Sequence, residues 1–229
     1  MDRSDAHRSR DATSRHECAR RFPRSRRGRG GAMADPTRRM TLDGVRQALL
    51  GHHPRPAEAA GARPAAVSLV LVDGPKGAEI LLIKRAERAG DPWSGQIALP
   101  GGRQDPGDAD LLATAVRETR EETGVDLGTA ERLGILDDLA PRTASLPPVI
   151  VRPFVFAMPR RPALTTNAEV QRAFWVPLAR LSEPGVRFDV TLTLSDGART
   201  FPAYRLGEDV IWGMTERILT PFVHTVTRI

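Results

Sequence analysis

The sequence predicts an α/β fold, on two observations. Short apolar, β-branched runs bounded by Gly, Pro and Asp recur along the chain. Between and around them lie segments whose apolar residues repeat at helical spacing. A chain of 229 residues is long enough for one or two domains with a sizeable core.

The elements follow in order. Thr41 is placed to cap a short helix through about Leu50. A Pro/Ala-rich linker covers 53–64. Residues 66–72 form an apolar strand, and 79–84 its hairpin partner across Gly74-Pro75-Lys76-Gly77. Residues 97–99 lead into a glycine turn and then a helix ending before Gly124. Asp108 is expected to cap that helix, and Gly124 suits the position just past its end. Leu112, Ala115, Val116 and Thr119 give it an apolar stripe. Further strands are expected over 131–136, 149–157, 170–176 and 187–194. A turn at Ser195-Asp196-Gly197 returns the chain along 199–204. A last helix opens at Trp212-Gly213 and runs to about Leu219, where Pro221 interrupts it.

The chemistry concentrates in 99–125, LPGGRQDPGDADLLATAVRETREETGV. Glu118, Glu121 and Glu122 stand at i, i+3 and i+4, on one helical face. Carboxylates so placed repel one another, and a hard divalent cation held through oxygen relieves the repulsion. An acidic helix face alone is more often simply solvated. Here it lies beside a Pro-Gly-Gly turn, whose backbone can approach a ligand closely. The pair reads as an Mg²⁺ or Mn²⁺ site for a substrate that brings phosphates. Metal binding is assigned mainly to Glu118 and Glu122, with Glu121 as a third ligand or a partner held through water. The backbone of Gly101 and Gly102 is a candidate source of a carbonyl ligand, and Arg117 is expected to pair with an acid of the loop.

This stretch resembles the Nudix box, G-x5-E-x7-R-E-U-x-E-E-x-G-U, with U aliphatic. Arg117, Glu118, Glu121, Glu122, Gly124 and Val125 match its second half, with Thr119 at the first U. Gly102 is followed six residues later by Asp108, an acid where the family has Glu, and the gap to Arg117 is one residue longer. Asp105 and Asp110 are alternatives for that acid. Upstream, Leu81-Leu82-Ile83-Lys84-Arg85-Ala86 and Gly95-Gln96-Ile97-Ala98-Leu99-Pro100-Gly101-Gly102 resemble the signature of the coenzyme A pyrophosphatase branch. Leu99 replaces Phe, and Asp91 falls where some members carry a basic residue. Residues 174–178 (FWVPL) and 211–215 (IWGMT) also look like this branch, so the resemblance covers about 41–220.

The resemblance implies an α/β/α sandwich around a mixed sheet. It also implies metal-dependent cleavage of coenzyme A or acyl-coenzyme A to 3′,5′-ADP and 4′-phosphopantetheine products. Alternatives are hydrolysis of ADP-ribose or another nucleoside diphosphate linked to X, and a non-catalytic nucleotide sensor on the same scaffold. Arg85, Gly95, Gly101 and Gly102 are the implied substrate-binding residues. Some Nudix enzymes use a downstream glutamate as general base and others a box glutamate, so Glu169 and Glu121 both stand as candidates. Arg117 completes the catalytic set in an orienting role.

The formal charge of +6 is unevenly placed. Residues 1–39 hold 12 Arg and 5 acids, and the remainder is nearly neutral, with 22 basic and 23 acidic residues. The Arg-rich segment 1–39 is expected to be a disordered tail, or an upstream stretch before a true start at Met33 or Met40, ahead of a domain over 40–229. Nucleic acid is therefore not the expected partner. A small coenzyme A-like nucleotide is, with a second copy of the chain as an open option. No apolar run approaches the roughly 18 residues a membrane span needs, and no signal-peptide pattern occurs, so a cytoplasmic place is expected. Cys18 is the single cysteine, which excludes a disulfide framework. No Walker-type or G-x-S-x-G motif occurs.

Overall fold

The computed structural model describes residues 40–88, 93–141, 148–194 and 197–228. The tail over 1–39, Asp91 and the turn residues Ser195 and Asp196 lie outside the described residues.

Helix α1, Leu42–Leu50, begins where Thr41 accepts the Gly44 N–H at 3.1 Å, and it buries Leu42, Val45 and Leu49. Strands β1, Arg63–Gly74, and β2, Gly77–Arg85, form the expected hairpin, with Leu71 opposite Ile80. Beyond that point the two strands part. The chain over 97–103 enters the gap as two short strands. Strand β3, Ile97–Ala98, pairs with Ile83 and Lys84 of β2. Strand β4, Gly101–Arg103, pairs with 65–67 of β1. The stretch 97–99, expected to lead into the glycine turn, carries β3 at its start, and the Ser68 N–H donates to the Pro100 carbonyl at 2.8 Å where the chain turns toward β1.

Helix α2 spans Leu111–Thr123. Strand β5, Glu131–Ile135, runs antiparallel to β6, Val149–Ala157, which lies parallel to β1. Strand β7, Val170–Pro177, pairs antiparallel with β2. The result is a seven-stranded mixed sheet. A second, antiparallel sheet follows, built from β8, Arg187–Leu194, β9, Gly197–Leu206, and β10, Asp209–Trp212. Helix α3, Met214–Thr227, closes the fold.

Alternation along the central strands decides which layer each side chain joins. Leu69, Leu71, Ile80, Leu82 and Val155 pack with Leu42 and Val45 of α1 and Leu219 and Phe222 of α3. Tyr204 and Ile211 of the small sheet join the same cluster. Ala66, Val70, Val72, Leu81 and Phe156 pack on the other face, with Ala115 of α2 and Val125. Helices on both faces of a mixed sheet make the α/β/α sandwich that the resemblance implies.

Helix α3 departs from the expected end near Leu219. It continues through Pro221 to Thr227. Proline inside a helix costs about 3 kcal/mol. Phe222, Val223 and Val226 continue the buried stripe beyond it. Burying three such side chains is worth roughly 1.5–3 kcal/mol each, which outweighs the penalty. Pro221 itself lies on the exposed side.

Candidate active site

Helix α2 is anchored at its start by Asp110, whose Oδ1 accepts the Ala113 N–H at 2.7 Å. This corrects the expected cap, Asp108. The Asp108 carboxylate is committed elsewhere. It accepts Arg117 Nε and Nη2, both at 2.9 Å, the Thr114 hydroxyl at 2.9 Å and the Asp105 N–H at 2.9 Å. Arg117, first, and these donors hold its pKa well below the usual carboxylate range. Of Asp105, Asp108 and Asp110, it is Asp108 whose carboxylate pairs with Arg117. Arg117 in turn reaches Glu118 at 3.0 Å, Glu121 at 3.1 Å and the Arg103 carbonyl at 3.3 Å. One guanidinium thus fixes the acidic turn, β4 and the helix face. At the far end Gly124 adopts φ 70° and returns its N–H to the Arg120 carbonyl, as expected.

Gly101 is packed against backbone where no other residue fits, and Gly102 lies close against the Glu118 carboxylate. A Cβ on Gly101 would stand 2.2 Å from the Ala66 carbonyl oxygen and 2.6 Å from Val67 Cα, at φ +151°. A Cβ on Gly102 would stand 2.4 Å from the Glu118 carboxylate. Gly101→Ala is expected to destabilise the fold by more than about 2 kcal/mol, since backbone strain and overpacking add. Chemical denaturation measures it, and an unchanged midpoint would contradict the wedge between β1 and β2.

The three box glutamates have different surroundings. Glu122 is only 3% exposed and accepts the Gly101 N–H at 2.8 Å. Burial pushes its pKa up to about 8, with Glu118 and Glu169 adding and the Gly101 N–H and Arg85 opposing. Glu118 is half-buried, and burial raises its pKa against the pull of Arg117. Glu121 is exposed and turned to Arg117.

Glu118 and Glu122 line a cleft of about 440 Å³ with Arg85, Gly101, Gly102, Arg103, Arg117 and Glu169. Glu169 comes from the turn before β7, where Ala86 N–H binds its carbonyl and Arg88 pairs with its carboxylate at 3.1 Å. Of the residues singled out from sequence, Glu121, Gly95, Asp108 and Asp110 do not line this cleft, whereas Asp105 does. Gly95 lines a separate depression with Lys84, Gln96, Asp209 and Trp212. Arg103, which the sequence reading does not single out, does line it. Its signal was its place directly after the glycine pair.

Among the described residues no three His, Cys, Asp or Glu side chains are already gathered into a metal site. The donors present nonetheless fit a hard divalent cation. They are carboxylate oxygens, and a bound cation would offset the burial that disfavours the charged forms of Glu118 and Glu122.

Residues 62–193 match the NUDIX domain family. The chain belongs to that family. An uncharacterized Schizosaccharomyces pombe protein, C14C4.10c, is 37% identical over 131 residues, covering 55% of this chain and 40% of that protein. The chain thus spans well under half of that relative's length. The human mitochondrial coenzyme A diphosphatase NUDT8 is 31% identical over 165 residues, covering 70% of this chain and 69% of that one. A MutT/nudix family protein from Enterococcus faecalis superposes with a TM-score of 0.49 at 22% identity, over 71% of this chain and 61% of that chain.

Within the Nudix box, Thr119 stands where the family has an aliphatic residue. It is fully buried, and its hydroxyl is satisfied by the Ala115 carbonyl at 2.7 Å and Ser68 Oγ at 2.8 Å. The pair ties α2 to β1 without leaving a buried polar atom unpaired. Among the described residues no helix is long and apolar enough to cross a membrane.

Proposed function

We propose that this Nudix protein is a divalent-cation-dependent pyrophosphohydrolase acting on coenzyme A or acyl-coenzyme A. Its products would be 3′,5′-ADP and 4′-phosphopantetheine or its acylated form. The observation that carries the reading is the cleft in which Glu118 and Glu122 face Arg85 and the Gly101-Gly102 turn. That turn ends the stretch resembling the coenzyme A pyrophosphatase signature. The human relative named for coenzyme A diphosphatase activity supports the same substrate class.

Glu118 and Glu122 would hold Mg²⁺ or Mn²⁺, and Glu121, turned to Arg117, would join only through water. A cation held by these residues would offset the diphosphate charge and lower the pKa of bound water. Every other requirement falls on positioning. Glu122 keeps its orientation through the Gly101 N–H. Arg117 holds Glu118 and β4 in register from behind. We assign the proton of the attacking water to Glu169, because it lines the cleft while Glu121 is turned to Arg117. The water oxygen forms a bond to one phosphorus, and the bridging P–O bond breaks.

A substrate panel with products identified by mass tests the reading. Coenzyme A should yield the two named products, and dephospho-coenzyme A should be cleaved less efficiently. Arg85→Ala should impair coenzyme A cleavage more than ADP-ribose cleavage, through loss of a charge-assisted contact. Preference for ADP-ribose would put a nucleoside diphosphate-X hydrolase in its place. Binding of these nucleotides without turnover of any would favour a sensor.

A further inference from the structure

Three arginines line the cleft, and they are not equivalent. Arg117 is committed to Asp108, Glu118 and Glu121. Arg85 lies close enough to Glu122 to favour its charged form. Arg103 differs from both. Its backbone is held twice, by pairing opposite Ala65 of β1 and by the Arg117 Nη2 bond to its carbonyl at 3.3 Å. Its side chain is exposed. Among the described residues, none of the hydrogen bonds or ion pairs found engages its guanidinium. A planar cation with five donors thus stands on a rigid strand one residue after Gly102, at the edge of a cleft rich in carboxylates.

Strand β4 is held by its pairing with β1 and by the Arg117 bond to the Arg103 carbonyl, and among the described residues the Arg103 guanidinium makes no ion pair with an acid. The anion that would complete it therefore comes from outside, into the cleft, and must tolerate the nearby glutamates. A diphosphate satisfies this. Its oxygens are matched by a guanidinium fork, while the glutamate side of the cleft is served through cations.

We propose that Arg103 is a substrate-binding residue that grips a phosphoryl oxygen of the diphosphate. It sets affinity for diphosphate-bearing molecules independently of what they carry at either end. The inference rests on the pyrophosphohydrolase reading and adds a residue to it. Arg103 contributes to binding in the ground state and the transition state alike, so its loss appears in KM more than in kcat.

The experiment compares wild type, Arg103→Ala and Arg103→Lys at fixed free Mg²⁺. It reads KM and kcat for coenzyme A and ADP-ribose, the Ki of inorganic pyrophosphate as a competitive inhibitor, the Mg²⁺ midpoint and Tm. The expected result for Arg103→Ala is a rise of about 10- to 100-fold in both KM values and in the pyrophosphate Ki, the range for one charge-assisted hydrogen bond. The Mg²⁺ midpoint and Tm should stay unchanged, and Arg103→Lys should recover part of the loss. Unchanged KM and Ki in Arg103→Ala, with wild-type turnover intact, would overturn the inference and leave the pyrophosphohydrolase reading standing. A rise accompanied by a lower Tm and no recovery in Arg103→Lys would also overturn it, as a structural effect. Absence of diphosphate cleavage by the wild type would overturn both.

Discussion

Glu122→Gln is expected to lower kcat by ~10²-fold or more while leaving Tm unchanged or higher. The loss is of the order seen when one electrostatic group at a reacting centre is removed. The stability result follows from burial. Glu122 is 3% exposed and its charged form is disfavoured, with a pKa pushed up to about 8 from an ordinary 4.5. Glutamine keeps an oxygen for the Gly101 N–H but carries no charge to desolvate. The sign can be checked in the cation-free protein. An acid whose pKa is raised on folding binds more protons in the native state, so wild-type stability falls as pH rises from about 4.5 through about 8. The advantage of Glu122→Gln in Tm should therefore grow over that window. Glu118→Gln should also lose activity, and the two changes should be less than additive, because both act on one ion. Near-wild-type kcat for Glu122→Gln at saturating Mg²⁺ would contradict its place in the site.

Asp108→Asn is expected to lower both kcat/KM, by about 10- to 100-fold, and Tm. Asparagine removes the negative partner of Arg117 and cannot accept at both oxygens. Arg117 would then bind Glu118 and Glu121 without its counterweight and draw Glu118 from the cleft. The loss arises through another residue, so it has a distinct signature. Once Arg117 is already Met, adding Asp108→Asn should cost much less than it does alone, since the two act as a unit. Equal costs in both backgrounds would mean that Asp108 serves only its Thr114 and Asp105 bonds.

Much of this arrangement was legible in the sequence where local signals and tertiary packing agree. Strands β6 and β8 match the expected 149–157 and 187–194, because their runs are β-branched and bounded by turn residues. Thr41 opens helix α1 through its side chain, and Gly124 closes helix α2 through its left-handed backbone. The helix carrying Glu118 and Glu122 was visible as a charged face opposite an apolar stripe.

What was not legible depended on distant partners. Gly101-Gly102-Arg103 has no strand propensity, and it is a strand only because β1 and β2 part to admit it. Asp108 was expected to cap a helix, but an arginine nine residues on captures its carboxylate, and Asp110 takes the cap. Pro221 reads as a helix end, and burial of Phe222 and Val223 overrides it. The split among the glutamates also escapes a helical projection. Positions i, i+3 and i+4 share a face, but β4 covers Glu122 and leaves Glu121 to solvent.

On the function proposed above, Glu118 and Glu122 together hold the divalent cation on which turnover depends. Mn²⁺ binding followed by electron paramagnetic resonance in wild type, Glu118→Gln, Glu122→Gln and the double variant tests it most directly, with turnover assayed on the same samples. Wild type should show a bound Mn²⁺ population that weakens in each single variant and disappears in the double variant, with kcat falling in step. Full Mn²⁺ affinity in the double variant, or wild-type turnover persisting after the cation is chelated, would contradict it.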